Sequence, residues 1–292
     1  MPYIAWPSLT TPAGRLDAVA WRPQGDLVAV GGNESPFLWV LSATDGTVVS
    51  GWPTMPNDVR DLAWSPDGTK LAVAHRDGRR LSVIDTDTKT VDTSWPSYVA
   101  DGDAVAWSPD GLLLAASLRV SGAVRVVDAL TKNEQAGWPG SVAGTIAYSL
   151  AWAPDSGRLA VGHSGSPYLT VWDRESKTAE SGWPTLAGVG YGVGWSTDGS
   201  RLAVAHDGSP YLTVVGEATK LAESGWPTMP GVAFGVAWAG DGTRLAVAHD
   251  GSNGNSVVDV ESQAVESGWP AIPSADGRAL AFAFDPGNVT SG

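Results

Sequence analysis

At 292 residues, with 43% hydrophobic content and 36 glycines, the chain can bury a large core while turning often. Its 31 acidic against 18 basic side chains give a net charge of -13, which opposes phosphate backbones and anionic lipid, so no nucleic acid and no membrane insertion is expected. No run nears the roughly 20 apolar residues of a membrane span, the opening MPYIAWPSLT lacks the basic and apolar stretches of a signal peptide, and zero cysteines remove disulfides, thiolate nucleophiles and thiolate metal ligands together.

The first element in chain order is a short strand, PYIAWP, ending in a Trp-Pro pair at Trp6. The pair returns at Trp52, Trp95, Trp138, Trp183, Trp226 and Trp269, with successive spacings of 46, 43, 43, 45, 43 and 43 residues. A second series, Trp21, Trp64, Trp107, Trp152, Trp195, Trp238 and then Phe284, runs in step with it, and most members open a turn such as WSPDG. Periods of this length mark repeat architectures. Within one unit, DLAWSPDG, KLAVAHRDG, RRLSVIDTDT and KTVDTSWP each read as a short β-rich run bounded by turn residues, so a unit is four strands. No stretch reads as a helix, and the last element is a strand, RALAFAF.

Side-chain size along the first strand of each unit decides how the units stack. Alternate residues face opposite sides of a sheet. One side carries the Trp and the residue two before it: Val19, Leu62, Val105, Leu150, Val193, Val236 and Phe282. The other carries Ala18 with Ala20, Asp61 with Ala63, Ala104 with Ala106, Gly192 with Gly194, and Ala281 with Ala283. Bulk opposite flatness lets one sheet seat against the next around an axis, which predicts an all-β, β-propeller domain over residues 1–292. The expected blades are four-stranded and antiparallel. Six full repeats of about 43 residues are flanked by N- and C-terminal strands sharing a partial blade, so seven blades with the last incomplete are expected, and six blades are the alternative. A partner or a homo-oligomer would protect the open edges of such a gap.

His75, His163, His206 and His249 all occupy the end of the second strand, one per blade. Zinc needs three or four ligands converging at about 2 Å, so a repeated hydrogen-bonding role is expected and no metal or other cofactor. Asp67, Asp110, Asp198 and Asp241 read as turn residues. Asp17 and Asp103, four residues before their Trp, point toward the channel mouth, where the equivalent residues are Arg60, Tyr148, Tyr191, Phe234 and Leu280. A glycosidase would need two such carboxylates about 5 to 9.5 Å apart. No nucleophile elbow, phosphate loop or His-Glu-x-x-His occurs, and the expectation is a protein that is not an enzyme.

The WSPDG turns, and YLTVWD at Tyr168 to Asp173, resemble the WD-repeat propellers, with Trp-Pro standing where that family carries Gly-His. RLAVAHDGSPYLTV at Arg201 to Val214 is similar to the propeller repeats of bacteriophage and prophage tail-associated proteins. In such a ring, the Trp-Pro loops and the HDGSPY turns would share one face. The candidate binding residues are therefore Trp6, Trp52, Trp95, Trp138, Trp183, Trp226 and Trp269, with Tyr148, Tyr168, Tyr191, Tyr211 and Phe234. Repetition in all seven units favours the other reading, in which each Trp-Pro indole wedges between adjacent blades, because blade packing needs such regularity and a partner rarely does. The resemblance implies a structural, protein-docking role in a virion, with virion structural proteins as partners. A glycan-binding propeller for host recognition and an intracellular, cytoplasmic scaffold are the alternatives.

Overall fold

The computed structural model describes residues 15–76, 80–119, 123–142, 145–251 and 253–269. They form six antiparallel sheets in chain order and no helix. The first comprises β1 (Leu16–Trp21), β2 (Leu27–Gly32) and β3 (Leu38–Ser42). The second comprises β4 (Val59–Trp64), β5 (Lys70–His75), β6 (Leu81–Asp85) and β7 (Thr90–Val91). The third has β8 (Gly102–Trp107), β9 (Leu113–Leu118) and β10 (Ala123–Asp128), and the fourth β11 (Ala147–Trp152), β12 (Arg158–His163) and β13 (Leu169–Asp173). The fifth runs β14 (Gly190–Trp195), β15 (Arg201–His206), β16 (Leu212–Gly216) and β17 (Leu221–Ala222). The sixth runs β18 (Ala233–Trp238), β19 (Arg244–His249), β20 (Asn255–Asp259) and β21 (Ala264–Val265).

The expected fourth strand forms over two residues in three sheets. In the other three it is reduced to isolated bridges, Leu41 to Val48 in the first, Val127 to Glu134 and Ala123 to Ser141 in the third, and Trp172 to Ala179 in the fourth. The shortening has a local cause. The outer segment follows a tight turn and leaves almost at once toward the next sheet, so only two or three residues lie alongside the third strand. Even so, the backbone pairing continues past the bridge, as Val49 N–H donates to Val40 O at 2.7 Å and Glu180 N–H to Val171 O at 2.8 Å.

Consecutive first strands β1, β4, β8, β11, β14 and β18 lie side by side, and all six line one central channel. That is the radial arrangement of a propeller. The segregation of bulk to one face explains it. In the contact between the first two sheets, Ala18 and Ala29 of one face Leu62, Trp64, Leu71 and Val73 of the next. At the corresponding contact between the fifth and sixth sheets, Ala203 and Ala205 face Trp238, Leu245 and Val247. Five of the six first-strand Trp residues also donate their indole N–H to a carbonyl of the preceding sheet: Trp64 to Ala20, Trp107 to Ala63, Trp152 to Ala106, Trp195 to Ala151 and Trp238 to Gly194, at 2.9 to 3.2 Å. Successive sheets are thus joined by one apolar contact and one directed bond at each of the five junctions from the first sheet to the sixth.

The strands PYIAWP, with Trp6, and RALAFAF, with Leu280, lie outside the described residues, and with them the expected partial seventh blade. Six sheets are what the described residues form.

Candidate functional site

Every first strand departs from regular pairing at the same place. The register to the second strand slips between Leu16 and Ala18, Val59 and Asp61, Gly102 and Ala104, Ala147 and Ser149, Gly190 and Gly192, and Ala233 and Gly235. The residue left over at each β-bulge is Asp17, Arg60, Asp103, Tyr148, Tyr191 or Phe234. A bulge bends its strand and re-aims the extra side chain. All six of these side chains line a cavity of about 590 Å³ at one mouth of the channel. The expectation that this position faces the channel is met for each described residue.

The cavity has two unlike halves. Over the first three sheets it is charged. Arg15 Nε lies 2.7 Å from Asp17 Oδ1, Arg60 Nη1 lies 3.7 Å from the same oxygen, and Arg119 Nη1 lies 3.3 Å from Asp103 Oδ1. Arg76 completes this half and reaches Asp58 at 3.4 Å. Burial pushes the Asp17 carboxyl up, with the Arg15 bond opposing, and pushes Asp103 up to about 6 against the pull of Arg119. Over the other three sheets the cavity is aromatic. Tyr148 and Tyr191 have ring centroids 5.2 Å apart, and Tyr191 and Phe234 5.5 Å, each pair tilted, so the three rings form a continuous arc.

One residue further along, the side chains serve the scaffold. Asp61 Oδ2 accepts from Val105 N–H of the next sheet at 2.9 Å, and Ser149 Oγ accepts from Val193 N–H at 3.1 Å. Asp61 also accepts from Leu62 N–H, yet burial raises its pKa to about 7. Where this position is glycine the backbones themselves meet: a Cβ on Gly192 would lie 2.8 Å from Gly235 Cα and from Phe234 O.

Of the two places open to the Trp-Pro indoles, the described ones from Trp52 to Trp226 take the one between blades rather than the shared loop face. Trp52, Trp95, Trp138, Trp183 and Trp226 pack edge-on against Trp64, Trp107, Trp152, Trp195 and Trp238, with centroids 5.6 to 6.0 Å apart. They are wedged between sheets, and Trp95 is only 3% exposed. The outer segment pairs with the third strand as far as Glu223, whose N–H donates to Val214 O at 2.8 Å, and the indole of Trp226, three residues on, packs into the contact with the neighbouring sheet. Glu180, Glu223 and Glu266 hold the indole N–H of Trp183, Trp226 and Trp269 and, on their other side, Arg158, Arg201 and Arg244. Trp269 is 40% exposed, and Trp6 lies outside the described residues.

Tyr168 and Tyr211 sit in the turns between second and third strands, on the same face as the cavity mouth. Their φ values of 71° and 70° match those of Phe37 (65°), Arg80 (60°) and Gly254 (71°), so one left-handed position carries a different side chain in different sheets. Each also packs partly into the adjoining core. The histidines end the second strands and bond the third: His75 Nε2 to Ser82 Oγ, His163 to Thr170, His206 to Thr213 and His249 to Ser256, all at 2.9 Å. They are buried, and among the described residues no cluster of histidines and carboxylates could hold a metal. The turn aspartates bond their own turns, as Asp67 Oδ1 accepts from Thr69 N–H and Asp198 Oδ1 from Ser200 N–H, which lowers both carboxyls.

Arg76 and Arg119 belong to the site although the repeat pattern alone does not single them out. Each directly follows the histidine position of its sheet, where other sheets have Asn33, Ser164, Asp207 and Asp250. A comparison down that one column would have flagged two arginines, in the two sheets that carry Arg60 and Asp103.

The repeated sheets, the channel they enclose and the inter-sheet tryptophan bonds define a WD-repeat-like β-propeller. Residues 19–101 match the family model described as the anaphase-promoting complex subunit 4 WD40 domain, a stretch covering the first two sheets and the approach to the third. That likeness suggests a protein-interaction scaffold. No curated protein matches the chain.

Proposed function

We propose that the chain is a non-enzymatic docking propeller that binds other proteins through the face carrying the channel mouth, as a tail-associated structural component of a phage virion. The observation that carries the docking face is the bulge position. The contacts between sheets repeat around the ring, whereas the six side chains at the bulge differ in charge and ring content, which suits one asymmetric partner. The variable turn residues Phe37, Arg80, Tyr168 and Tyr211 extend the same face. Asp17 and Asp103, the carboxylates a glycosidase would use, are both tied to arginines. The likeness of RLAVAHDGSPYLTV to tail-associated repeats supports the virion setting over a cytoplasmic one.

A photo-crosslinking amino acid placed at Tyr211 tests this. The reading expects the chain at fixed stoichiometry in purified particles, with adducts to a structural protein from position 211 and none from position 130 on the opposite face. Absence from particles removes the virion setting; equal adducts from both positions remove the docking face. Sedimentation of the free protein reads whether two copies associate.

A further inference from the structure

We propose that the channel mouth is a saccharide site, in which a neutral sugar ring stacks on the Tyr148, Tyr191 and Phe234 arc and its hydroxyls bond Asp103, Arg60 and Arg76 opposite. This goes beyond the docking role and does not depend on it.

Size permits it. A cavity of about 590 Å³ falls in the range that holds small organic ligands. Charge narrows the choice. Three aspartates, Asp17, Asp61 and Asp103, and three arginines, Arg60, Arg76 and Arg119, line the wall, so carboxyl and guanidinium groups are interleaved there. Such a wall suits a neutral molecule bearing both donors and acceptors.

The wall also offers such bonds. Asp103 is 9% exposed, and its Oδ2 is buried with no hydrogen-bond partner; Arg60 Nε and Arg76 Nε are buried donors in the same condition. Buried polar groups are nearly always satisfied. All three side chains line the cavity, so a small turn of each brings an unsatisfied acceptor or donor to a sugar hydroxyl, which both donates and accepts.

The distribution of rings completes the argument. A pyranose has an apolar C–H face and polar edges. Here the aromatic groups occupy one side of the cavity and the polar groups the other, in a continuous arc with 5.2 and 5.5 Å between centroids. A purely apolar ligand would leave the charged half unsatisfied.

Titration calorimetry and saturation-transfer NMR test this with the methyl glycosides of glucose, galactose, mannose and N-acetylglucosamine. Acetyl-arginine amide and citrate serve as charged probes. One glycoside should bind with one-to-one stoichiometry. Replacing the platform by Tyr191→Ala, or the acceptor by Asp103→Ala, should weaken it about tenfold or more, the loss of one good stacking or hydrogen-bonded contact. Tyr191→Phe, which keeps the ring, and Leu130→Ser, on the opposite face, should leave it unchanged. Circular dichroism of each variant separates lost binding from lost folding. Binding of acetyl-arginine amide or citrate in place of a glycoside overturns the proposal. So does the absence of glycoside binding tighter than about 10 mM, or binding that survives Tyr191→Ala. The crosslinking from Tyr211 needs no sugar, so the two readings fail separately.

Discussion

Asp61 should make the propeller less stable as the pH rises from 4 to 7, and Asp61→Ser should abolish that part of the pH dependence. The carboxyl sits in the channel wall, accepts N–H bonds from Val105 and Leu62 at 2.9 Å, and has its pKa raised by burial from 3.8 to about 7. The fold therefore favours the protonated form, and the penalty on the charged form is absent below pH 3.8 and complete above pH 7. A shift of about three units corresponds to about 4 kcal/mol, and channel water reaching the carboxylate brings this to roughly 2–4 kcal/mol. Serine is the matched replacement, because Ser149 fills the same position and accepts from Val193 N–H at 3.1 Å. Asp103 titrates with the same sign, while the lowered histidines act oppositely, losing stability as the pH falls through 6.5. Only the difference between the two proteins isolates Asp61. Urea unfolding followed by tryptophan fluorescence at pH 4, 5.5, 7 and 8 should show the variant gaining on the wild type by roughly 2–4 kcal/mol across that range. Parallel curves would refute the reasoning and show the carboxylate to be held charged by the arginines around it.

The remaining expectations concern the scaffold. Trp195→Phe removes the bond to Ala151 O at 3.2 Å and part of a packed ring, and should lower the unfolding free energy by about 1–3 kcal/mol; a loss below about 0.5 kcal/mol would show that the inter-sheet bond contributes nothing. Gly192→Ala, whose Cβ would lie 2.8 Å from backbone atoms of the next sheet, should cost about 1–3 kcal/mol or more, whereas Gly194→Ala, with its nearest neighbour a flexible Val236 methyl at 3.4 Å, should be nearly neutral; equal melting temperatures for the two would overturn the close-approach account. His206→Ala strands the Thr213 hydroxyl and should cost about 1–3 kcal/mol, with no change in midpoint on adding zinc or a chelator to either protein; a zinc-dependent midpoint would refute the structural role of the histidines.

Much of the fold was legible in the chain because its causes are local and repeated. A Trp every 43 to 45 residues, flanked by small residues at alternate positions, states which face of each inner strand is bulky. That segregation reappears as Ala18 and Ala29 seated against Leu62 and Trp64. The histidine column was legible for the same reason: identical positions in separate units cannot converge on one ion. The channel-facing side chains from Asp17 to Phe234 were also found by counting back from the Trp. What counting did not reveal was the bulge that aims them, since register belongs to two strands at once.

The site was less legible where several units contribute to it. Arg76 and Arg119 arrive from second strands, and nothing near them in the chain marks them as neighbours of Asp17 or Asp103. The Trp-Pro indoles were more legible: their sevenfold regularity favoured a place between blades, and the short outer segment delivers each described indole from Trp52 to Trp226 to the adjacent sheet.

By itself, then, the sequence determined the repeat, the four-strand grammar and the face on which each sheet is flat, because these depend on residues close along the chain. Tertiary structure decided which of the repeated aromatics are buried and which line the channel. It also placed arginines beside aspartates from other sheets and divided the mouth into a charged and an aromatic half. Those outcomes depend on distances between separate units, and such distances exist only once the sheets are gathered around one axis.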